Sequence, residues 1–133
     1  MEKDPLIIAG KAYNSRLLVG TGKYSSEKQA LEAIKASKSE IVTVAIRRVE
    51  IDSESRSDSI LNYITPEKYK ILPNTAGCFS AKEAIRIACL GRELLNGENL
   101  VKLEVLKDKE TLMPLMEETL SLIHISEPTR HRR

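Results

Sequence analysis

The sequence predicts an α/β chain in which strands and helices alternate behind a short N-terminal β-hairpin. Three observations carry this. Four short apolar runs recur at intervals of roughly 25 to 30 residues; each is followed by turn-forming residues, and a helical pattern comes next. That alternation is the rhythm of a parallel sheet or barrel. Eight such units close a barrel of about 250 residues, so a chain of 133 residues supplies about half of one.

Leu6 to Ala9, Gly10 and Lys11 to Tyr13 read as the hairpin, with Gly10 at the turn. Arg16 to Val19 is the first predicted strand, ending in Gly20, Thr21 and Gly22. Ser26 and Gln29 stand three apart as a capping box, and Ala30, Leu31, Ala33 and Ile34 form an apolar stripe that ends about Ser37. Ile41 to Ile46 is the second strand. The polar stretch Arg47 to Ser57 reads as a long exposed loop, and Asp58 is placed to cap a short helix through Tyr63. Lys70 to Leu72 is the third strand, followed by the turn Pro73 to Gly77. Ser80 and Glu83 make a second capping box for a helix reaching Leu95, closed by Asn96 and Gly97. Leu100 to Leu106 is the fourth strand, and Pro114 to Leu120 begins a helix.

Composition excludes several classes. No apolar run is long enough for a membrane span, and Met1 to Pro5 is not followed by the apolar core of a signal peptide, so the expected location is the cytoplasm, with no membrane partner. Cys78 and Cys89 are lone thiols without a CxxC or a neighbouring His, which points to reduced cysteines and no metal site. The formal charge of +2 rests on the end of the chain: Arg130, Arg132 and Arg133 stand there against Glu127, and without them the charges balance. Net charge therefore gives no reason to expect a nucleic-acid partner. Both histidines, His124 and His131, also lie at that end, so residues 1 to 120 offer no imidazole base or ligand.

Several motifs invite chemistry. Gly20, Thr21, Gly22 and Lys23 suggest a phosphate loop, but Leu17 stands where the first glycine belongs and Tyr24 replaces the hydroxyl that would reach magnesium. Tight backbone packing at the strand end is the preferred account. Arg47 and Arg48 could fork onto a phosphate or an acidic partner, or sit in an exposed loop beside Glu50, Asp52 and Glu54. The Pro73 to Gly77 turn follows a strand, where barrel enzymes keep working loops, although its composition also suits an ordinary turn.

Lys102 and Glu104 are the candidate catalytic residues. Two positions apart in a strand, they share one face, while Val101, Leu103 and Val105 make the other face apolar. One reading is a solvated strand end with a surface ion pair. The other needs a closed barrel, whose apolar neighbours desolvate the amine and favour the neutral nucleophile that attacks a carbonyl to form an imine. Glu104 would then move protons beside it.

Four stretches go beyond generic patterning: Leu-Leu-Val-Gly-Thr-Gly-Lys at 17–23, Glu-Ile-Val-Thr-Val-Ala-Ile-Arg-Arg at 40–48, Leu-Pro-Asn-Thr-Ala-Gly-Cys at 72–78 and Asn-Leu-Val-Lys-Leu-Glu-Val at 99–105. In order and spacing they resemble the thiazole synthase (ThiG) family of thiamine biosynthesis, over about Leu6 to Leu120. The resemblance implies the first half of a (βα)8 TIM-type barrel and a transferase that uses no cofactor. Its reaction would join 1-deoxy-D-xylulose 5-phosphate, dehydroglycine and sulfur from a carrier-protein thiocarboxylate into thiazole phosphate. It places the Schiff-base lysine on Lys102 and an active-site glutamate on Glu104. The implied partners are the small sulfur-carrier protein, the enzyme that forms dehydroglycine and, at full length, further copies of the chain. Two departures are visible: Lys38 stands where a helix-ending Gly is frequent, and Leu115 follows Pro114 where an Asp is usual.

From Leu120 the sequence Leu-Ser-Leu-Ile-His-Ile-Ser-Glu-Pro-Thr-Arg resembles a translated sequencing adapter. Residues 1–120 are therefore expected to be the native half-barrel and 121–133 a foreign tail that interrupts the last helix. The phosphate-binding residues of the family fall in the part not matched, so the chain is expected to be truncated and inactive. Two alternatives are another lysine-imine barrel enzyme, such as an aldolase-like lyase, and a non-catalytic fragment that associates through open strand edges.

Overall fold

A computed structural model describes residues 4–49 and 59–126. The chain opens with the hairpin β1 (Leu6–Ile8) and β2 (Lys11–Tyr13), paired antiparallel with Leu6 opposite Tyr13. Ala9 and Gly10 both turn through positive φ, 50° and 77°, the pair of left-handed residues that a two-residue hairpin turn demands. Glu40 then ties the hairpin to the sheet: its Oε1 accepts the N–H groups of Asn14 and Ser15 at 2.6 and 2.8 Å.

A parallel three-stranded sheet follows, in the order β3 (Leu18–Gly20), β4 (Ile41–Ala45), β5 (Lys70–Asn74). The helix α1 (Glu27–Ser37) crosses from β3 to β4, and Ser26 caps it by accepting the N–H of Gln29. The reciprocal arm reaches one residue further out than a capping box predicts, because the Gln29 Oε1 takes the N–H of Ser25 at 2.9 Å. At the other end Lys38 has φ 55°, a left-handed backbone of the kind that favours Gly after a helix. Val19, Val42, Val44 and Ile71 point to the helical side and pack with Ala30 and Ile34 of α1 and with Ile60 and Ile64 around the short helix α2 (Ile60–Tyr63).

The helix after β5, α3 (Ala81–Leu94), is capped by Ser80 and closed through Asn96 and Gly97, whose φ values are 54° and 91°. It lies so close to β5 and to the residue after β4 that a Cβ on Gly91 would stand 3.2 Å from the Pro73 Cβ and 2.9 Å from the Ile46 Cγ1. Ile46, Cys78, Ala84, Ile87, Val105 and Leu122 make a second apolar cluster between α3, the segment after it and the last helix, α4 (Met116–Ser126).

Several sequence expectations are corrected. Residues 46–49 are helical, where Ile46 was expected to end the second strand and Arg47 to open a loop. Ser59, not Asp58, caps α2, its hydroxyl accepting the Leu61 N–H at 3.3 Å; Asp58 and most of the predicted 47–57 loop lie outside the described residues. The first strand begins at Leu18 rather than Arg16, and β5 runs two residues past Leu72, through Pro73 to Asn74. The tight packing expected at Gly20 and Gly22 is absent: a Cβ on Gly20 would meet only Thr43 Cγ2, at 3.8 Å, and one on Gly22 would meet nothing within 4 Å. The last helix starts at Met116 and continues past residue 120, with Leu122 buried. Leu115 caps nothing through its side chain; it packs on the second cluster, and its N–H bonds the Val105 carbonyl.

The largest correction concerns Leu100 to Leu106, which forms no ladder. It touches β5 through a single bridge, Asn74 to Lys102. Lys102 donates its N–H to the Pro73 carbonyl at 2.9 Å and accepts the Thr75 N–H at 3.2 Å. In a strand the N–H and C=O of one residue point the same way, so the next ladder bond toward Leu100 would need an N–H on Pro73. Proline has none, and the ladder stops there.

Candidate active site

Register alone groups the side chains opposite α1 and α2 into three rows. Leu18, Ile41 and Lys70 form the lowest; Gly20, Thr43 and Leu72 the next; Ala45, Asn74 and Lys102 the uppermost, at the C-terminal ends of the strands. Asn74 is buried, and its amide is held at both ends: Nδ2 donates to the Thr43 hydroxyl at 2.9 Å, while Oδ1 accepts the Ala76 N–H at 3.1 Å. Lys102 lies beside this fixed amide, one position across the sheet.

Lys102 and Glu104 meet, with Nζ 3.4 Å from Oε1. Their side chains are 53% and 29% exposed, and at that exposure the pair contributes at most about 1 kcal/mol to folding. The apolar alternation between them holds in part: Val105 is buried and Leu103 packs on the second cluster, but Val101 is exposed, because the missing ladder leaves that end uncovered. The amine is thus beside a carboxylate and open to solvent, on the face opposite the helices α1 and α2.

Thr75 holds the glutamate's backbone. It is fully buried, and its hydroxyl donates to the Glu104 carbonyl at 2.8 Å while accepting the Glu104 N–H at 2.7 Å. A hydroxyl has one proton to give and lone pairs to receive, so it can satisfy both groups at once. The Pro73 to Gly77 turn therefore positions the candidate site. Reading the residues did not single out Thr75; the available signal was a β-branched hydroxyl directly after a strand.

The two arginines after β4 are used internally. Arg47 donates to the Gly77 carbonyl and pairs with Glu83 at 3.1 Å, bracing the same turn where Gly77 adopts φ 83°. Arg48 pairs with Glu27 at 3.4 Å. Cys78, buried behind the turn, has its thiol pushed up by burial, with the Glu83 carboxylate adding to the effect, which keeps it protonated and unreactive. Below the site, Glu98 bonds Lys70 at 2.6 Å and accepts the N–H groups of Asn99 and Leu100. Partial burial would raise its carboxyl; the Lys70 hydrogen bond, the two N–H groups and the lysine charge together hold it below the usual range.

A family profile described as "Thiazole biosynthesis protein ThiG" matches residues 7–126. The chain belongs to the ThiG family. The thiazole synthase of Acinetobacter baylyi is 58% identical over 120 residues, which cover 90% of this chain and 46% of the relative. That of Methylobacillus flagellatus is 58% identical over 117 residues, 88% of this chain and 45% of the relative. For Pseudomonas paraeruginosa the figures are 56% over 116 residues, 87% and 44%. This ThiG-family chain spans about half the length of the curated relatives it matches. Its α/β order, with parallel strands joined by crossover helices, agrees with part of a TIM-type fold. No helix among the described residues is long and apolar enough to cross a membrane.

Proposed function

We propose that this ThiG-family chain carries the imine-forming lysine of a thiazole synthase. The observation that carries the reading is the meeting of the Lys102 amine and the Glu104 carboxylate at 3.4 Å, on the strand-end row shared with Asn74. The amine adds to the ketone carbon of 1-deoxy-D-xylulose 5-phosphate, and the adduct loses water to give an imine. The imine acidifies the neighbouring C–H, and Glu104 takes that proton and returns it one atom along. Sulfur from a carrier-protein thiocarboxylate and dehydroglycine from a partner enzyme complete the ring in this transferase, which works in the cytoplasm as a homo-oligomer.

We also infer that the chain of 133 residues does not turn over by itself, because the half-exposed Lys102 lacks the desolvation that makes a lysine an effective nucleophile. Residues 121–133 are read as foreign sequence. The burial of Leu122 is compatible with this, since any Leu-Ser-Leu-Ile run extending α4 presents an apolar side chain at the right spacing.

The test is borohydride trapping with the pentulose phosphate in a full-length version of the chain, followed by peptide mapping. The expected result is a reduced adduct on Lys102, absent in Lys102→Arg and retained in Glu104→Gln. In Glu104→Gln, solvent deuterium no longer enters the bound sugar at the carbon beside the imine. Adducts spread over exposed lysines with none at Lys102 would refute the assignment.

A further inference from the structure

We propose that Thr75 is a positioning residue: its buried hydroxyl stands in for the missing strand ladder and sets the Glu104 carboxylate against the Lys102 amine. The inference deepens the reading of Lys102 and Glu104 above and rests on it for its catalytic meaning, but its geometry stands alone. Between β4 and β5 the strand ends are aligned by successive backbone bonds. Between β5 and the next segment only Lys102 is bonded backbone to backbone; the chain is next pinned at Val105 and Leu106, whose carbonyl and N–H bond Leu115 and Cys78, and a residue between those points with no backbone partner of its own keeps local freedom.

Glu104 does not have that freedom, because both of its backbone polar groups end on one side-chain oxygen, Thr75 Oγ1, at 2.7 and 2.8 Å. Thr75 is itself fixed. Its N–H bonds the Lys102 carbonyl, its carbonyl takes the Cys78 N–H, and no part of it reaches solvent. A threonine in an extended segment has few χ1 choices, so the hydroxyl points one way. Thr75 thus contacts the backbone of both members of the pair: its N–H holds Lys102 and its hydroxyl holds Glu104. A methyl group in place of the hydroxyl would leave a half-buried N–H and C=O without their partner, and the segment would shift to find others.

The prediction is that Thr75→Val uncouples Glu104 from Lys102, whereas Thr75→Ser does not. It is read in the 133-residue chain by the rate at which Lys102 is labelled by a small aldehyde and cyanoborohydride at fixed pH, using peptide mass mapping. Removing the carboxylate with Glu104→Gln should raise that rate about 1.5- to 5-fold, the range expected for a partly exposed ion pair. Thr75→Val should raise it by the same factor, the double variant should add nothing further, and Thr75→Ser should match the parent. Slowed exchange of the Glu104 amide hydrogen should be lost in Thr75→Val and kept in Thr75→Ser.

A folded Thr75→Val that melts at lower temperature but labels at the parent rate would overturn the proposal and leave Thr75 with a purely structural role. So would a Thr75→Ser chain that labels at the Glu104→Gln rate. If Thr75→Val does not fold, parent-like labelling and amide protection in Thr75→Ser, against a raised rate in Glu104→Gln, support the proposal; loss of either in Thr75→Ser refutes it. Because the reagent is not the sugar phosphate, absence of a pentulose adduct would refute the enzyme assignment without touching this coupling.

Discussion

The β4–β5 pair and the segment 100–106 lie on either side of the same strand, yet different bonds hold them. On one side five registered residues, Ile41 to Ala45 against Lys70 to Asn74, form a regular parallel ladder backed by the apolar contacts of α1 and α2. On the other, one backbone bridge at Lys102, the Leu106 N–H on the Cys78 carbonyl and one threonine hydroxyl do the work, and the candidate catalytic pair sits there. This chain separates support from chemistry. The ladder is apolar, redundant and backed by helices, whereas the segment with Lys102 and Glu104 depends on a few polar contacts whose geometry can be set by single residues.

The largest effect should come from breaking the ladder's backing. Ile34 is fully buried between α1 and the sheet, and Ile34→Ala should cost about 3 kcal/mol, read as a lower urea midpoint. A cost under about 1 kcal/mol would show that α1 is not bearing the sheet's load. A smaller effect, with opposite sign, is expected at the turn into β4: Lys38→Gly should stabilise by about 1 kcal/mol, since Lys38 holds φ 55° and glycine adopts that conformation without the Cβ penalty. A loss of stability there would mean that the lysine side chain contributes more than its backbone strain costs.

The smallest effect concerns the entrance to the other segment. Glu98 anchors Asn99 and Leu100 and bonds Lys70, and its carboxyl is held below the ordinary value of 4.5. A depressed carboxyl contributes stability above the unfolded-state pKa and loses it as pH falls through the folded one, so the contribution should fade from about pH 4.5 downward. With Lys70 a quarter exposed the size should be about 1 kcal/mol or less, and Glu98→Gln should flatten that part of the acid limb in thermal melts between pH 3 and 6. An unchanged acid limb would remove Glu98 as an anchor of the segment.

Much of the supporting side was legible in the residues. Ser26 and Ser80 as caps, the stripe through Ala30 and Ile34, the β-branched run Ile41 to Ala45 and the closing Asn96 and Gly97 are local signals, and the structure uses each of them. The candidate site was legible only as a spacing. Lys102 and Glu104 do approach each other, but the strand that justified the spacing argument is not formed, and Val101 is exposed where an apolar face was expected. The ladder stops at a proline contributed by a neighbouring strand, some 30 residues earlier in the chain, and no local pattern at Leu100 to Leu106 records that.

The sequence by itself determined the alternation of elements, the caps that start the helices and, through the resemblance of four separate motifs, the family. These are properties of residues close together in the chain, where side-chain period, capping and turn chemistry act over a few bonds. Only the tertiary structure decided that Arg47 braces the Gly77 turn, that Asn74 is clamped beside Lys102, and that Thr75 replaces a ladder for Glu104. Those contacts join residues about 30 positions apart. They depend on which backbone groups remain unpaired after the sheet has formed, and the need to satisfy buried N–H and C=O groups can be assessed only once the strands are side by side.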